Sequence, residues 1–157
     1  MDYKTSFKLT EEYFSECFDQ SIRYGNKWRK FEYIIGVIFL VTGSCFLVYS
    51  STRTLAPLVL LLIGIYELFN PYIKKIWWMK RQMASKVANN FVDISISDEG
   101  IKSKSPFSES SMSWSGLEKI VETPKGLLIW PQKSMHIYLK KESVPEETIQ
   151  FILSKTI

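Results

Sequence analysis

YIIGVIFLVTGSCFLVYSST (residues 33–52) and TLAPLVLLLIGIYELFNPYI (54–73) decide how the rest of the chain is read. The first run has twenty residues without a charge, and the second has twenty interrupted only by Glu67. About 20 mainly apolar residues, rising about 1.5 Å each, cross a hydrocarbon core of about 30 Å. The connection Ser50-Ser51-Thr52-Arg53-Thr54 is long enough only for a tight return, so the runs are expected to form a helical hairpin with both ends on one side. A buried hairpin in a soluble core would show the same two runs. The flanks favour a membrane, because Lys27, Trp28, Arg29 and Lys30 precede the first run, and Lys74, Lys75, Trp77, Trp78, Lys80 and Arg81 follow the second. Trp settles at the headgroup level and Lys/Arg excess marks the cytoplasmic side, while the return offers only Arg53. Both termini are therefore expected in the cytoplasm.

Charge is informative once located. Of a formal net charge of +4, residues 1–32 carry six basic and six acidic side chains, 90–157 carry eight and nine, and 74–86 carry five basic residues and no acid. The excess is a juxtamembrane collar suited to anionic headgroups rather than to nucleic acid. A mean hydropathy of -0.03 averages an apolar hairpin with polar flanks. Cys17 falls in the N-terminal arm and Cys45 inside the first run, so no disulfide framework is expected. The first thirty residues are polar, which predicts no secretory leader and a first span acting as its own uncleaved signal.

Along the arm, Phe7, Lys8 and Leu9 alternate, Thr10 stands where a helix cap would, and Glu11 and Glu12 suit the positive end of a helix dipole. Tyr13, Phe14, Cys17, Phe18 and Ile22 then share one face, predicting an amphipathic helix over about 11–24. Its polar face carries Glu12, Glu16 and Asp19 rather than the bases of an interfacial anchor, so packing on the C-terminal domain is favoured over lying on the membrane. Gly36 and Gly43 share a face of the first span, and with Gly64 they read as close-packing positions within the hairpin. Glu67 is an intramembrane acid about 10 Å from the cytoplasmic boundary, a functional candidate by default, or a side chain that snorkels toward Lys74 or the Arg29/Lys30 cluster. Asn70 and Pro71 suggest a kink where the helix leaves the bilayer.

After Lys86 the period becomes two. Val92, Ile94 and Ile96 face one way and Asp93, Ser95 and Ser97 the other, as in a strand with one buried face. Asp98-Glu99-Gly100 is a turn in which Gly100 would supply a positive φ. Further strands are expected over 101–105, 108–114, 117–123, 127–130 and 135–139, with Pro106 and Phe107 breaking the pairing between two of them. Trp114 is expected to pack its ring over a sheet edge. Pro145, Glu146 and Glu147 open a closing helix whose Ile149, Ile152 and Leu153 cap the sheet. The expected whole is an α+β membrane protein: an N-terminal strand and amphipathic helix (1–32), a transmembrane helical hairpin (33–73), a basic juxtamembrane linker (74–89), and a small antiparallel β domain closed by a helix (90–157).

The chain resembles the YcxB-like family of small bacterial membrane proteins. Phe7, Leu9, Thr10 and Phe14 fit its N-terminal pattern. In the C-terminal module the resemblance rests on Ile96, Asp98, Glu99, Gly100 and Ile101, then Ser113, Trp114, Leu117, Ile120, Glu122 and Thr123. The family's Ile-Pro-Lys step before the last helix is replaced by Leu139-Lys140-Lys141. The resemblance implies a pleckstrin-homology-like (PH-like) cytoplasmic domain behind a membrane hairpin in the bacterial inner membrane, and carries no established activity.

His136, the single histidine, shares a strand face with Tyr138 and Lys140 and reads as exposed. No metal spacing, phosphate loop or nucleophile with a base stands out, so neither catalysis, metal nor cofactor is expected. The residues suit a membrane-tethered binding module recognising a protein partner through a sheet edge or the amphipathic arm, of which an immunity protein against a membrane-acting toxin is a special case. Alternatives are recognition of anionic lipid by the collar with Lys102 and Lys104, and, least favoured, a homo-oligomeric channel or transport component built around Glu67.

Overall fold

The computed structural model describes residues 2–25, 30–49, 55–132 and 135–155. The expectations for Lys27, Trp28, Arg29 and the 50–54 return lie outside these residues. Two compact units are present, one made of Met1–Gly25 with Met79–Ile157 and the other of Asn26–Trp78.

The first unit is α+β. It begins with β1 (Asp2–Lys8) and α1 (Glu11–Gln20). After the apolar helices it resumes with β2 (Phe91–Ser97), β3 (Gly100–Ser105), β4 (Ser108–Ser113), β5 (Lys119–Glu122), β6 (Gly126–Gln132), β7 (Met135–Lys140) and α4 (Glu146–Ser154). These strands form two antiparallel sheets, of order β1-β2-β3-β4 and β5-β6-β7, rather than one. The N-terminal strand is longer than the Phe7–Leu9 alternation indicates. It pairs along all of β2, from Asp2↔Ser97 to Lys8↔Phe91. Pro106 and Phe107 do not break the pairing either. They form a two-residue turn closed by Ser105↔Ser108, since proline at a hairpin tip removes no ladder donor.

Val92, Ile94, Ile96 and Ile101 point inward from the first sheet and Leu127, Ile129 and Leu139 from the second, while Val144, Ile149 and Ile152 add the α4 side of the core. Leu127, Leu128 and Ile129 are all buried, so β6 is covered on both faces. On its second face the register row is Val121-Leu128-Tyr138, of which Tyr138 is covered by Tyr13 and Glu16 of α1. Trp114 closes one margin: Nε1 donates to Ser97 O at 2.9 Å and its ring meets Phe151 edge-on at 5.9 Å. Gly100 has φ +156°, and a Cβ there would overlap the Met112 carbonyl oxygen across the β3–β4 pair.

In the second unit, α2 (Lys30–Tyr49) and the first part of α3 (Ala56–Met83) pack through glycine. A Cβ on Gly64 would stand 2.8 Å from Leu40 Cγ and 3.0 Å from Gly36 O, and one on Gly43 3.1 Å from Pro57 O. The small residues thus serve the hairpin itself. Among the described residues, α3 is the one helix long and apolar enough to cross a membrane by length and composition, and Tyr33–Tyr49 is a shorter apolar stretch. α3 is helical on both sides of Pro71 and continues to Met83, so most of the expected basic linker is helix.

Backbone overlap cannot be relieved by a rotamer change. Gly100→Ala is therefore expected to cost on the order of 3 kcal/mol, seen as a lower denaturant midpoint at unchanged slope, whereas Gly116→Ala, whose Cβ would meet only the Ser113 hydroxyl at 3.3 Å, stays near wild type.

Candidate functional site

The densest polar constellation among the described residues lies where α1 covers β7. Thr10 caps α1, accepting from Tyr13 N at 3.3 Å, and Glu11 and Glu12 occupy its first turn. This sets Tyr13, Phe14, Cys17 and Phe18 on the buried face. Tyr13 OH donates to Tyr138 O at 2.6 Å. Tyr138 OH in turn donates to Glu16 Oε1 at 2.5 Å, and Lys140 Nζ lies 3.4 Å from Glu16 Oε2. Cys17 Sγ and His136 Nε2 are 3.5 Å apart, and the His136 ring lies 5.8 Å from Trp130, over which Lys119 is held at 5.3 Å. His136 is half-buried here rather than exposed, because α1 roofs the strand face that alternation alone leaves open.

Burial governs the protonation of this cluster. It pushes the Tyr13 phenol well up, and the Tyr138 phenol up with help from its bond to Glu16. Burial, reinforced by Glu16, pushes the Cys17 thiol up to about 12, while desolvation pushes His136 below its usual value. At neutral pH the cluster holds neutral phenols, a thiol and a neutral imidazole around one Glu16–Lys140 ion pair. A thiol held that high supplies negligible thiolate, which is the nucleophilic form.

Shallow depressions open on the same unit, among them two larger ones and one of about 270 Å³ beside Gly25, Glu118, Lys119 and Trp130. One of about 440 Å³ is lined by Glu12, Asp19 and Gln20 of α1, by Arg23 in the turn that follows it, and by Lys125. Gln20 Oε1 there is buried without a hydrogen-bond partner. Another, of about 610 Å³, lies over Lys4, Ser95 and Lys102 on the first sheet and is also lined by Asp2, Asp98 and Glu99. Among the described residues no three His, Cys, Asp or Glu side chains are grouped so as to hold a metal.

The residues singled out from sequence are scattered. Lys74, Lys75, Trp77, Trp78, Lys80 and Arg81 follow one another on the last turns of α3, with Trp77 72% exposed. Lys30 begins α2. Glu67 is half-buried on α3, accepting from Asn70 Nδ2 at 3.2 Å. Gly100 and Trp114 support the β domain. The α1–β7 cluster itself escaped sequence reading, since nothing in either segment marks its partner 120 residues away.

Residues 96–154 match the family described as YcxB-like protein. That span is YcxB-like. No curated protein matches the chain. The YcxB-like span runs from the last residues of β2 to the end of α4 and includes Gly100 and Trp114. It leaves out β1, α1 and both apolar helices, although β1 and α1 complete the same compact unit.

A histidine whose folded pKa lies below its unfolded value binds its proton more readily in the unfolded chain, so its contribution is intact above about pH 6.5 and is lost as pH falls toward the folded value. Thermal unfolding is expected to shift down between pH 7.5 and 5.5 in the wild type, and to shift less in His136→Gln.

Proposed function

We propose that the chain is a membrane-anchored, non-enzymatic binding protein of the bacterial inner membrane. Its α2–α3 hairpin spans the bilayer twice, and its α+β unit, PH-like in its two antiparallel sheets and closing helix, sits at the cytoplasmic face with both termini. One observation carries the reading: β1 and α1, which precede the apolar helices, belong to the same compact unit as β2–α4, which follow them. A chain that leaves a folded body at Gly25 and rejoins it at Met79 crosses a bilayer an even number of times. If α3 crosses, α2 crosses back.

The hairpin surface supports the same reading. Ile38, Val41, Val48, Leu62, Tyr66 and Phe69 are 56%, 57%, 74%, 66%, 57% and 60% exposed, a continuous apolar surface far beyond what a water-soluble unit leaves open. At about 1.5 Å per residue, the apolar Tyr33–Tyr49 part of α2 is about 25 Å long, close to a hydrocarbon core of about 30 Å. The basic, Trp-bearing end of α3 suits the cytoplasmic headgroup layer.

For the partner, the packing narrows the choice. The buried face of α1 is spent on β7 and on Phe7 of β1, leaving sheet edges for recognition. β4 pairs only with β3, so its outer edge carries unpaired backbone groups, and SESSMS contains neither the Pro nor the Lys that commonly protects an edge. A partner strand added to β4 is the recognition mode this favours. Crosslinking the tagged full-length protein in its native membrane, followed by mass spectrometry, is expected to yield a reproducible protein partner that Ser110→Lys abolishes without changing protein level. Recovery of lipids and self-crosslinks alone contradicts the binding role.

A further inference from the structure

We propose that one end of the four-stranded sheet docks on the bilayer surface, with Phe91 and Phe107 seated at the boundary between headgroups and acyl chains. The inference rests on the membrane anchoring proposed above and adds a second contact with the same membrane.

Among the described residues of the α+β unit, the large apolar side chains left exposed are Phe91 and Phe107, at 62% and 59%. Single exposed phenylalanines are unremarkable, but these two share one end of one sheet. The register Asp93↔Lys104, carried two residues further, sets Phe91 across from Pro106, next to Phe107 at the tip of the β3–β4 turn. That turn is firmly built. Ser105 Oγ accepts from Ser108 N at 3.0 Å and lies 2.9 Å from Ser108 Oγ, so Phe107 is presented on a rigid support.

Lysines stand behind the aromatic end. Lys8 is directly opposite Phe91, and Lys4 and Lys102 stand four residues further along the strands, beside a depression that Asp2, Asp98 and Glu99 also line. Between them, Lys104 is flanked in register by Asp93 and Glu109, so the contact with phosphate at the aromatic end falls to Lys8 while the two rings supply the apolar contact. Rings ahead of lysines suit an anionic interface, where apolar groups enter the acyl boundary and cations meet the headgroups.

Chain continuity selects a membrane over a protein as the occupant. α3, at 28 residues and about 42 Å, exceeds a hydrocarbon core of about 30 Å, so its last turns emerge among the headgroups. Only residues 84–90 separate Met83 from Phe91. Seven residues span at most about 25 Å, which keeps this sheet end within reach of the surface that α3 leaves.

The test uses the full chain in nanodiscs containing phosphatidylglycerol, with a spin label on Ser108→Cys in a Cys45→Ser background, Cys17 being buried and poorly reactive. Power saturation with oxygen and a water-soluble nickel chelate reports depth, and a label on Leu62→Cys serves as reference. The expected result is a label at 108 shielded from nickel, with nickel accessibility rising at least threefold in Phe91→Ser/Phe107→Ser while the label at 62 stays in hydrocarbon. A label at 108 open to water in both backgrounds, with 62 in hydrocarbon, overturns the docking and leaves the anchoring intact. Shielding at 108 that the double substitution does not change assigns the cover to a protein and also overturns it. A label at 62 open to water overturns the anchoring itself, and the docking with it.

Discussion

The structure depends on a closure across its own apolar middle. The first seven described residues pair with β2 almost ninety positions later, and the Tyr13 hydroxyl bonds a carbonyl 125 residues away. The α+β unit cannot be completed until the chain has gone through the hairpin and returned. Burying Tyr13, Phe14 and Phe18 contributes on the order of 2 kcal/mol each, a sum comparable with the whole stability of a small domain. The C-terminal span alone would thus lack an edge strand and the cover of one sheet face. The unit is therefore discontinuous in sequence, its two parts lying on either side of the apolar helices.

The same closure explains the polar cluster under α1. A helix carrying Glu16 toward a sheet must satisfy that carboxylate, and Tyr138 and Lys140 do so from alternate positions of β7. Cys17 and His136 fill the remaining contact as neutral groups. The arrangement holds a helix in place. The two surfaces proposed above are distinct parts of one sheet: the outer edge of β4, and the end that carries Phe91 and Phe107.

Much of this was legible in the sequence where a period could be read locally. β2, with Val92, Ile94 and Ile96 alternating, and α4, with its acidic first turn, fall where their patterns place them, and the stripe of α1 is buried as its acidic outer face suggests. Long-range pairing was not legible. β1 alternates Asp2, Lys4, Ser6 and Lys8 with Tyr3, Thr5 and Phe7, a pattern that gains meaning only beside β2. The division into two sheets depends on partners, not on strand propensity. His136 looked exposed because alternation reports the face a residue takes, not whether another element covers that face. Phe91 and Phe107 carried no signal as isolated aromatics, and become a pair only through the register.

The central claim is that the chain between Gly25 and Met79 crosses the membrane twice. Its most direct test is labelling in intact bacterial cells with a membrane-impermeant maleimide, comparing Arg53→Cys with Glu109→Cys in a Cys45→Ser background. The account predicts that position 53 is labelled from outside while position 109 is labelled only after the membrane is opened. Labelling of both positions only after opening would contradict it, as would labelling of both in intact cells.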